Sequence, residues 1–412
     1  MTVRFDPQPE ELHRLRSGPL GPHIGGFAVL LSQLGYCRDN GWQKIRLLAD
    51  LSRWLQRRRI KLAQLHEGQT SAFLRARWQR VSRRSGDQIT MSQLLQHLRQ
   101  AHVIPPVPSA PPSDLDSMEQ AYRSFLLQER ALAPASVQQY AGVMRRFLAH
   151  RFPKGKARLK NLRAEAVTDF VLHDTSGRGR RSAQLMATVL RSFLGFLFQQ
   201  GRTATNLAAA VPTVAGWRLS ELPRFLEPGQ VEQVLRSCDR RRKVGRRDYA
   251  ILLLLARLGL RAGEVAQLTL EDINWRTGEL LIHGKGTRID KLPLLHDVGR
   301  ALVDYLRKGR PECASRRVFI QCKAPHGGFA SPPNTVCGIV RRALARAHIQ
   351  SRHRGAHVLR HSLATRMLGN GASLTQIGQV LRHQQVQTTE IYAKVNLPAL
   401  SGLALPWPGG VR

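Results

Sequence analysis

A proline-rich run at residues 105–112, PPVPSAPP, constrains this chain most. Proline lacks a backbone N–H and holds φ near about −65°, so such a run cannot continue a helix and stays extended. The chain has 412 residues, more than one typical core organises. What precedes the run therefore has to build a core of its own. A second break falls at 211–223, VPTVAGWRLSELP. The cuts predict an N-terminal block 1–104, a linker 105–112, a middle block 113–212 and a C-terminal block 220–412.

The first two blocks resemble each other. GWQKIRLLADLSRWL (41–55) and SVQQYAGVMRRFLAH (136–150) both place apolar residues at helical spacing. LAQLHEGQTSAFL (62–74) then aligns without gaps on LKNLRAEAVTDFV (159–171), setting Leu62, Leu65 and Phe73 on Leu159, Leu162 and Phe170. SQLLQHLRQAHVIP (92–105) and MATVLRSFLGFLFQQG (186–201) complete the series as amphipathic helices. Two related helical domains in tandem are expected.

The third block mixes elements. Helices are predicted over 228–238, 248–260, 296–308, 334–349, 357–368 and 373–383. The segment DYAILLLLARLGL (248–260) is nearly all apolar, so it belongs at the centre of a core. Alternation with glycine at the turns over 272–294 predicts a small antiparallel hairpin sheet, with Lys285 between Gly284 and Gly286 at its tip. The fold class is mainly α, with helical domains ahead of an α-rich domain carrying a small sheet.

Charge narrows the partners. Lys+Arg total 64 against 28 Asp+Glu, a formal net charge of +36. Such a surface attracts polyanions through counterion release, without by itself separating DNA, RNA or an anionic membrane. The best apolar run, Ile251–Ala256, is far too short to cross a bilayer, and the N-terminal stretch has no apolar signal core. Five scattered cysteines, Cys37, Cys238, Cys313, Cys322 and Cys337, fit neither a disulfide framework nor a zinc module. They read as reduced, mostly packing residues in a cytoplasmic protein.

Six residues then stand out: Arg261 in LGLRAGEVAQL, Lys285 in HGKGTRIDKLPL, His357 and Arg360 in AHVLRHSLAT, His383 in LRHQQVQTTEIY, and Tyr392 closing that segment. Arginines hold phosphate oxygens through planar, fork-like bonds. Lysine and histidine can move protons, and a phenol can attack phosphorus. Each residue alone has a plainer reading: Arg261 a helix-start charge paired with Glu264, Lys285 a turn lysine, Tyr392 a half-buried core tyrosine. His357 and His361, four apart, could begin a metal site, but no third ligand has suitable spacing, so neither metal nor cofactor is expected.

In this order the six residues resemble the signature of the tyrosine recombinase (phage integrase) family: Arg, Lys, His-x-x-Arg, His or Trp, Tyr. The resemblance covers roughly residues 113–395. It implies that the middle block is a core-site DNA-binding domain and that Tyr392 forms a 3′-phosphotyrosyl bond with DNA, releasing a 5′-hydroxyl. Arg261 and Arg360 are then expected to stabilise charge on phosphorus, Lys285 to protonate the leaving oxygen and His357 to accept the phenolic proton. His383 is expected to bond a non-bridging oxygen, and Glu264 to orient its neighbours. The implied partners are double-stranded DNA with a specific attachment or core site, and further copies as a tetramer on two duplexes or a mixed recombinase complex. An apolar stretch, NLPALSGLALP (396–406), is a candidate for the contact with a neighbouring copy.

Two departures stand out. The family usually has Leu-Gly-His where this chain has Leu381-Arg382-His383, and block 1–104 exceeds the minimal two-domain members, as an extra helical domain that is a candidate second core-binding-like DNA-binding domain. Integration, excision or transposition of a mobile element is the expected role. A type IB topoisomerase, a non-catalytic DNA-binding protein and a general polyanion or RNA binder are the alternatives.

Overall fold

The computed structural model describes residues 18–106, 113–153, 159–214, 225–284, 288–351 and 354–395. Lys285, the interior of the proline-rich linker, most of the second break and the apolar stretch 396–406 lie outside the described residues. The chain splits into two compact units, one formed by residues up to Pro106 together with those from Glu221 on, the other by Val107–Ser220. The N-terminal block thus shares a unit with the C-terminal block while keeping its own apolar core. The His326 N–H donates to the Leu34 carbonyl at 2.9 Å, and Ala324 packs against the N-terminal core.

The N-terminal bundle runs α1 (Gly21–Gln33), α2 (Arg38–Arg57), a 3-10 turn (Leu62–Gln64), α3 (Glu67–Trp78) and α4 (Asp87–Gln100). Its core gathers Phe27, Leu31, Leu48, Leu51, Leu55, Phe73, Leu94 and Leu98. The middle bundle runs α5 (Asp114–Ser124), a π turn (Phe125–Glu129), α6 (Pro134–Arg151), a 3-10 turn (Leu159–Asn161), α7 (Ala164–Thr175) and α8 (Arg180–Gln199). Ser113 caps α5 by accepting from the Asp116 N–H, and Pro134 opens α6 where no N–H is needed. Helices α1 and α5 were not anticipated, because GPHIGG and the acidic start DLDS blur the helical period.

The C-terminal block contains α9 (Pro228–Arg236), α10 (Lys243–Arg257), α11 (Ala262–Gln267), β1 (Ile273–Asn274), β2 (Glu279–His283) and β3 (Ile289–Pro293). It continues with α12 (His296–Lys308), α13 (Pro332–Arg346), α14 (His357–Gly369) and α15 (Leu374–Leu381). The strands form one antiparallel sheet in the order β1-β2-β3, with His283 opposite Ile289 next to the hairpin tip. Helix α10 is central: Ala250–Leu255 are all within 1% of full burial, and it packs along α12. The thiols are all free, but only Cys238 is buried and Cys37 is exposed, so packing explains fewer of them than expected. Among the described residues no helix is long and apolar enough to cross a membrane.

Candidate active site

Three elements converge around α14. The turn after α10 needs Gly259, whose φ is +58° and whose added Cβ would lie 2.7 Å from Leu381. That turn delivers Arg261 as the N-cap of α11. Its guanidinium reaches Glu264 Oε1 at 2.7 Å, and its backbone N–H donates to Glu264 Oε2 at 2.8 Å. The Arg261 side chain remains 40% exposed, so it can also meet a ligand.

Arg360 is buried on α14. It donates to the backbone carbonyls of Gly259 and Leu381, bracing the Arg261 turn against the end of α15. Burial, then the charges of Arg261 and Arg382, press its pKa down to about 10, still protonated at neutral pH. His357, the first residue of α14, is exposed, and its ring lies 6.4 Å from that of His361 one turn on. His383 follows α15, with Nδ1 2.7 Å from Thr389 Oγ1. Burial and the neighbouring Arg360 and Arg261 hold its pKa down at about 4, so the ring is neutral at physiological pH.

Tyr392 sits in a 3-10 turn, Glu390–Val395, and is 1% exposed. Its hydroxyl lies 2.8 Å from His361 Nδ1. Burial pushes the phenol up to about 12, against an opposing pull from Arg360. Arg261, Arg360, His383 and Tyr392 are thus gathered around one helix and the ends of two loops. His361, which sequence reading weighed only as a metal partner of His357, is the residue that meets the phenol. Among the described residues no three His, Cys, Asp or Glu gather as a metal site.

Arg382 adds an unexpected third guanidinium. It is 6% exposed, and its Nη2 bonds Glu264 Oε2 at 2.8 Å. Its Nε lies 3.7 Å from Asp290 on β3. Burial alone would raise the Glu264 pKa, but the Arg261 backbone N–H and the Arg382 and Arg261 charges hold it below the usual range. A single carboxylate therefore ties Arg261 to Arg382.

Comparison with known proteins shows the family. The phage integrase family model matches residues 224–397, and the model for the phage integrase N-terminal SAM-like domain matches 120–201. The y4rA protein of Sinorhizobium fredii, named as an integrase/recombinase, is 43% identical over 97% of both chains. The chain belongs to the phage integrase family of tyrosine recombinases. Tyrosine recombinase XerD of Listeria monocytogenes is 27% identical, over 68% of this chain and 95% of its own. The fold matches the XerH site-specific recombinase bound to palindromic difH substrate, with a TM-score of 0.54 and 19% identity over 88% of this chain and 96% of that one. It also matches the Tn1549 transposon integrase in complex with circular intermediate DNA, with a TM-score of 0.50 and 16% identity over 70% and 99%.

Where the resemblance leads one to expect glycine, the recombinase has Arg382, in a backbone conformation that favours glycine. Arg382 has φ 55° and ψ 48°, a left-handed conformation that costs a non-glycine residue roughly 1–2 kcal/mol. Arg382→Ala keeps this strain and loses the bond to Glu264; Arg382→Gly loses the bond but relieves the strain. The glycine variant is expected to be more stable than the alanine variant by about 1 kcal/mol, read from denaturant unfolding. Equal stabilities would show that the turn relaxes.

Proposed function

We propose that this recombinase moves a mobile DNA element by cutting and rejoining duplex DNA at specific attachment sites. The relative y4rA matches along 97% of this chain, N-terminal block included, whereas the match to XerD covers 68%. That difference favours an integrase or transposase over a chromosome-dimer resolvase.

The observation that carries the chemistry is the convergence of the Tyr392 phenol with braced guanidiniums on α14 and its neighbours. The Tyr392 oxygen attacks phosphorus and forms a new P–O bond, and the P–O5′ bond breaks. Arg261 and Arg360 stabilise charge on the pentacoordinate phosphorus. Lys285 protonates the departing 5′ oxygen, His357 accepts the phenolic proton, and His383 donates to a non-bridging oxygen. Glu264 orients Arg261, and His361 holds the phenol until DNA arrives. Since a phosphodiester is exchanged for a phosphotyrosine of similar energy, the step needs neither a nucleotide nor a metal. A 5′-hydroxyl from a second duplex then reverses it, which requires several copies on two duplexes. The segment 396–406 is the proposed contact between copies, and the cytoplasm, where the DNA lies, is the proposed site of action.

Nicked duplex carrying the attachment site tests this reading. The protein is expected to form an adduct that survives denaturant, while a type IB topoisomerase would relax supercoiled DNA without that site. Lys285→Ala is expected to cleave a normal strand slowly and to recover on a 5′-sulfur leaving group, which needs no proton. Failure to recover removes Lys285 from the acid role.

A further inference from the structure

The two helical bundles share one order of elements. Both run helix, helix, 3-10 turn, helix, helix, the middle bundle adding a π turn after its first helix. The loop into α2 turns at Gly35 with φ 79°, and the loop into α6 turns at Ala131 with φ 47°. Helices α4 and α8 end at Gln100 and Gln199, and each is followed two residues later by a left-handed residue, His102 at φ 54° and Gly201 at φ 62°. The ring pair Trp54–Phe73, 5.9 Å apart, has its counterpart in His150–Phe170 at 5.6 Å. An interhelical ion pair recurs at the same place with its charges exchanged: Asp50 with Arg77 at 3.2 Å in the first bundle, Arg146 with Asp174 at 3.1 Å in the second.

Basic residues recur in the sequence of the two blocks. After α2 the chain reads RRRIK (57–61), and after α6 it reads KGKAR (154–158). Arg83-Arg84-Ser85 lies between α3 and α4, whereas Arg180-Arg181-Ser182 forms the first turn of α8. In the first bundle Arg57, Arg58, Arg59, Lys61, Arg83 and Arg84 are all exposed. The acidic residues nearby are engaged elsewhere: Asp50 by Arg53 and Arg77, Asp87 by Arg77, and Glu67 by Arg99. Arg58 lies 5.0 Å over the Trp54 ring, and Arg83 lies 4.6 Å over Trp78. An aromatic face holds a guanidinium in place, which lowers the entropy lost when it meets a phosphate.

We propose that the N-terminal bundle is a second duplex-DNA-binding domain, gripping backbone phosphates through the loops 57–61 and 83–84. This rests on the recombinase reading, under which the middle bundle binds DNA; the shared order of helices and the exposed arginines held over Trp54 and Trp78 extend that ligand to the first bundle. Residues 18–106 hold fourteen Lys and Arg against four Asp and Glu, the charge a phosphate backbone complements.

The test uses the full chain as Tyr392→Phe, so that binding is read without cleavage, on a mixed-sequence duplex lacking any attachment site. Fluorescence anisotropy gives affinity against salt concentration. Replacing Arg58, Arg59, Arg83 and Arg84 by alanine is expected to flatten the log–log slope by about 3 to 4, since each phosphate contact contributes about 0.9. Lysine at the same four positions is expected to restore most of the slope. An unchanged slope overturns the proposal, and so does lysine failing where arginine succeeds, which would trace the loss to packing on Trp54 and Trp78. An unchanged slope with altered sedimentation would assign the loops to a protein contact instead. Adduct formation by the chain bearing Tyr392 is scored separately, so failure of cleavage and failure of this domain are distinguishable.

Discussion

Tyr392→Phe is expected to abolish the covalent adduct on nicked DNA, a loss of at least about 10³-fold, because no other group replaces an absent nucleophile. The fold should barely register the change. The ring is 1% exposed and keeps its packing, and the variant gives up one bond to His361, worth about 1 kcal/mol. Duplex affinity should also hold, since the buried hydroxyl faces a histidine. Loss of adduct with intact folding and binding is therefore the expected pattern. An adduct on the phenylalanine variant would reassign the nucleophile.

Arg360→Ala is expected to fail in two ways at once. Its guanidinium donates to the Gly259 and Leu381 carbonyls, so its removal leaves two buried acceptors without that donor. Roughly 2–4 kcal/mol of stability in the C-terminal block should be lost. Adduct formation should fall about 10²–10³-fold, as when a donor to a developing anionic charge is removed. Arg360→Lys restores a cation, but one ammonium cannot reproduce the planar fork that faces two carbonyls. It should recover part of the stability and little of the rate. Denaturant unfolding and adduct kinetics separate the two effects, and full activity in the alanine variant would exclude Arg360 from the chemistry.

Much of the C-terminal block was legible because its signals are local. The all-apolar run of α10, the alternation at 279–293 and the amphipathic pattern of α12 each announce an element without knowledge of its neighbours. The spacing of Arg261 and Glu264 likewise foretold their ion pair. The partner of the phenol was not legible. His357 and His361 share a helical face, and which of them meets Tyr392 depends on how a turn thirty-one residues beyond His361 folds back. The buried role of Arg382 was equally hidden. Its sequence position showed a missing glycine, while its bond to Glu264 spans elements far apart in the chain.

The exchanged ion pair between the two bundles bears on how a chain with internal copies reaches one structure. Tandem relatives invite mispairing during folding, when a helix of one copy docks into the other. Here α2 carries Asp50 and α3 carries Arg77, while α6 carries Arg146 and α7 carries Asp174. A hybrid of α2 with α7 sets two carboxylates face to face, and a hybrid of α6 with α3 sets two guanidiniums together. Each helix is thus keyed by sign to its own partner. Asp50→Arg with Arg77→Asp keeps a pair in the first bundle but gives both copies the same polarity. Refolding from denaturant should then yield more aggregate than the native chain, and the folded protein should lose stability as well, since the exchanged charges meet Arg53 and Asp87 as like charges.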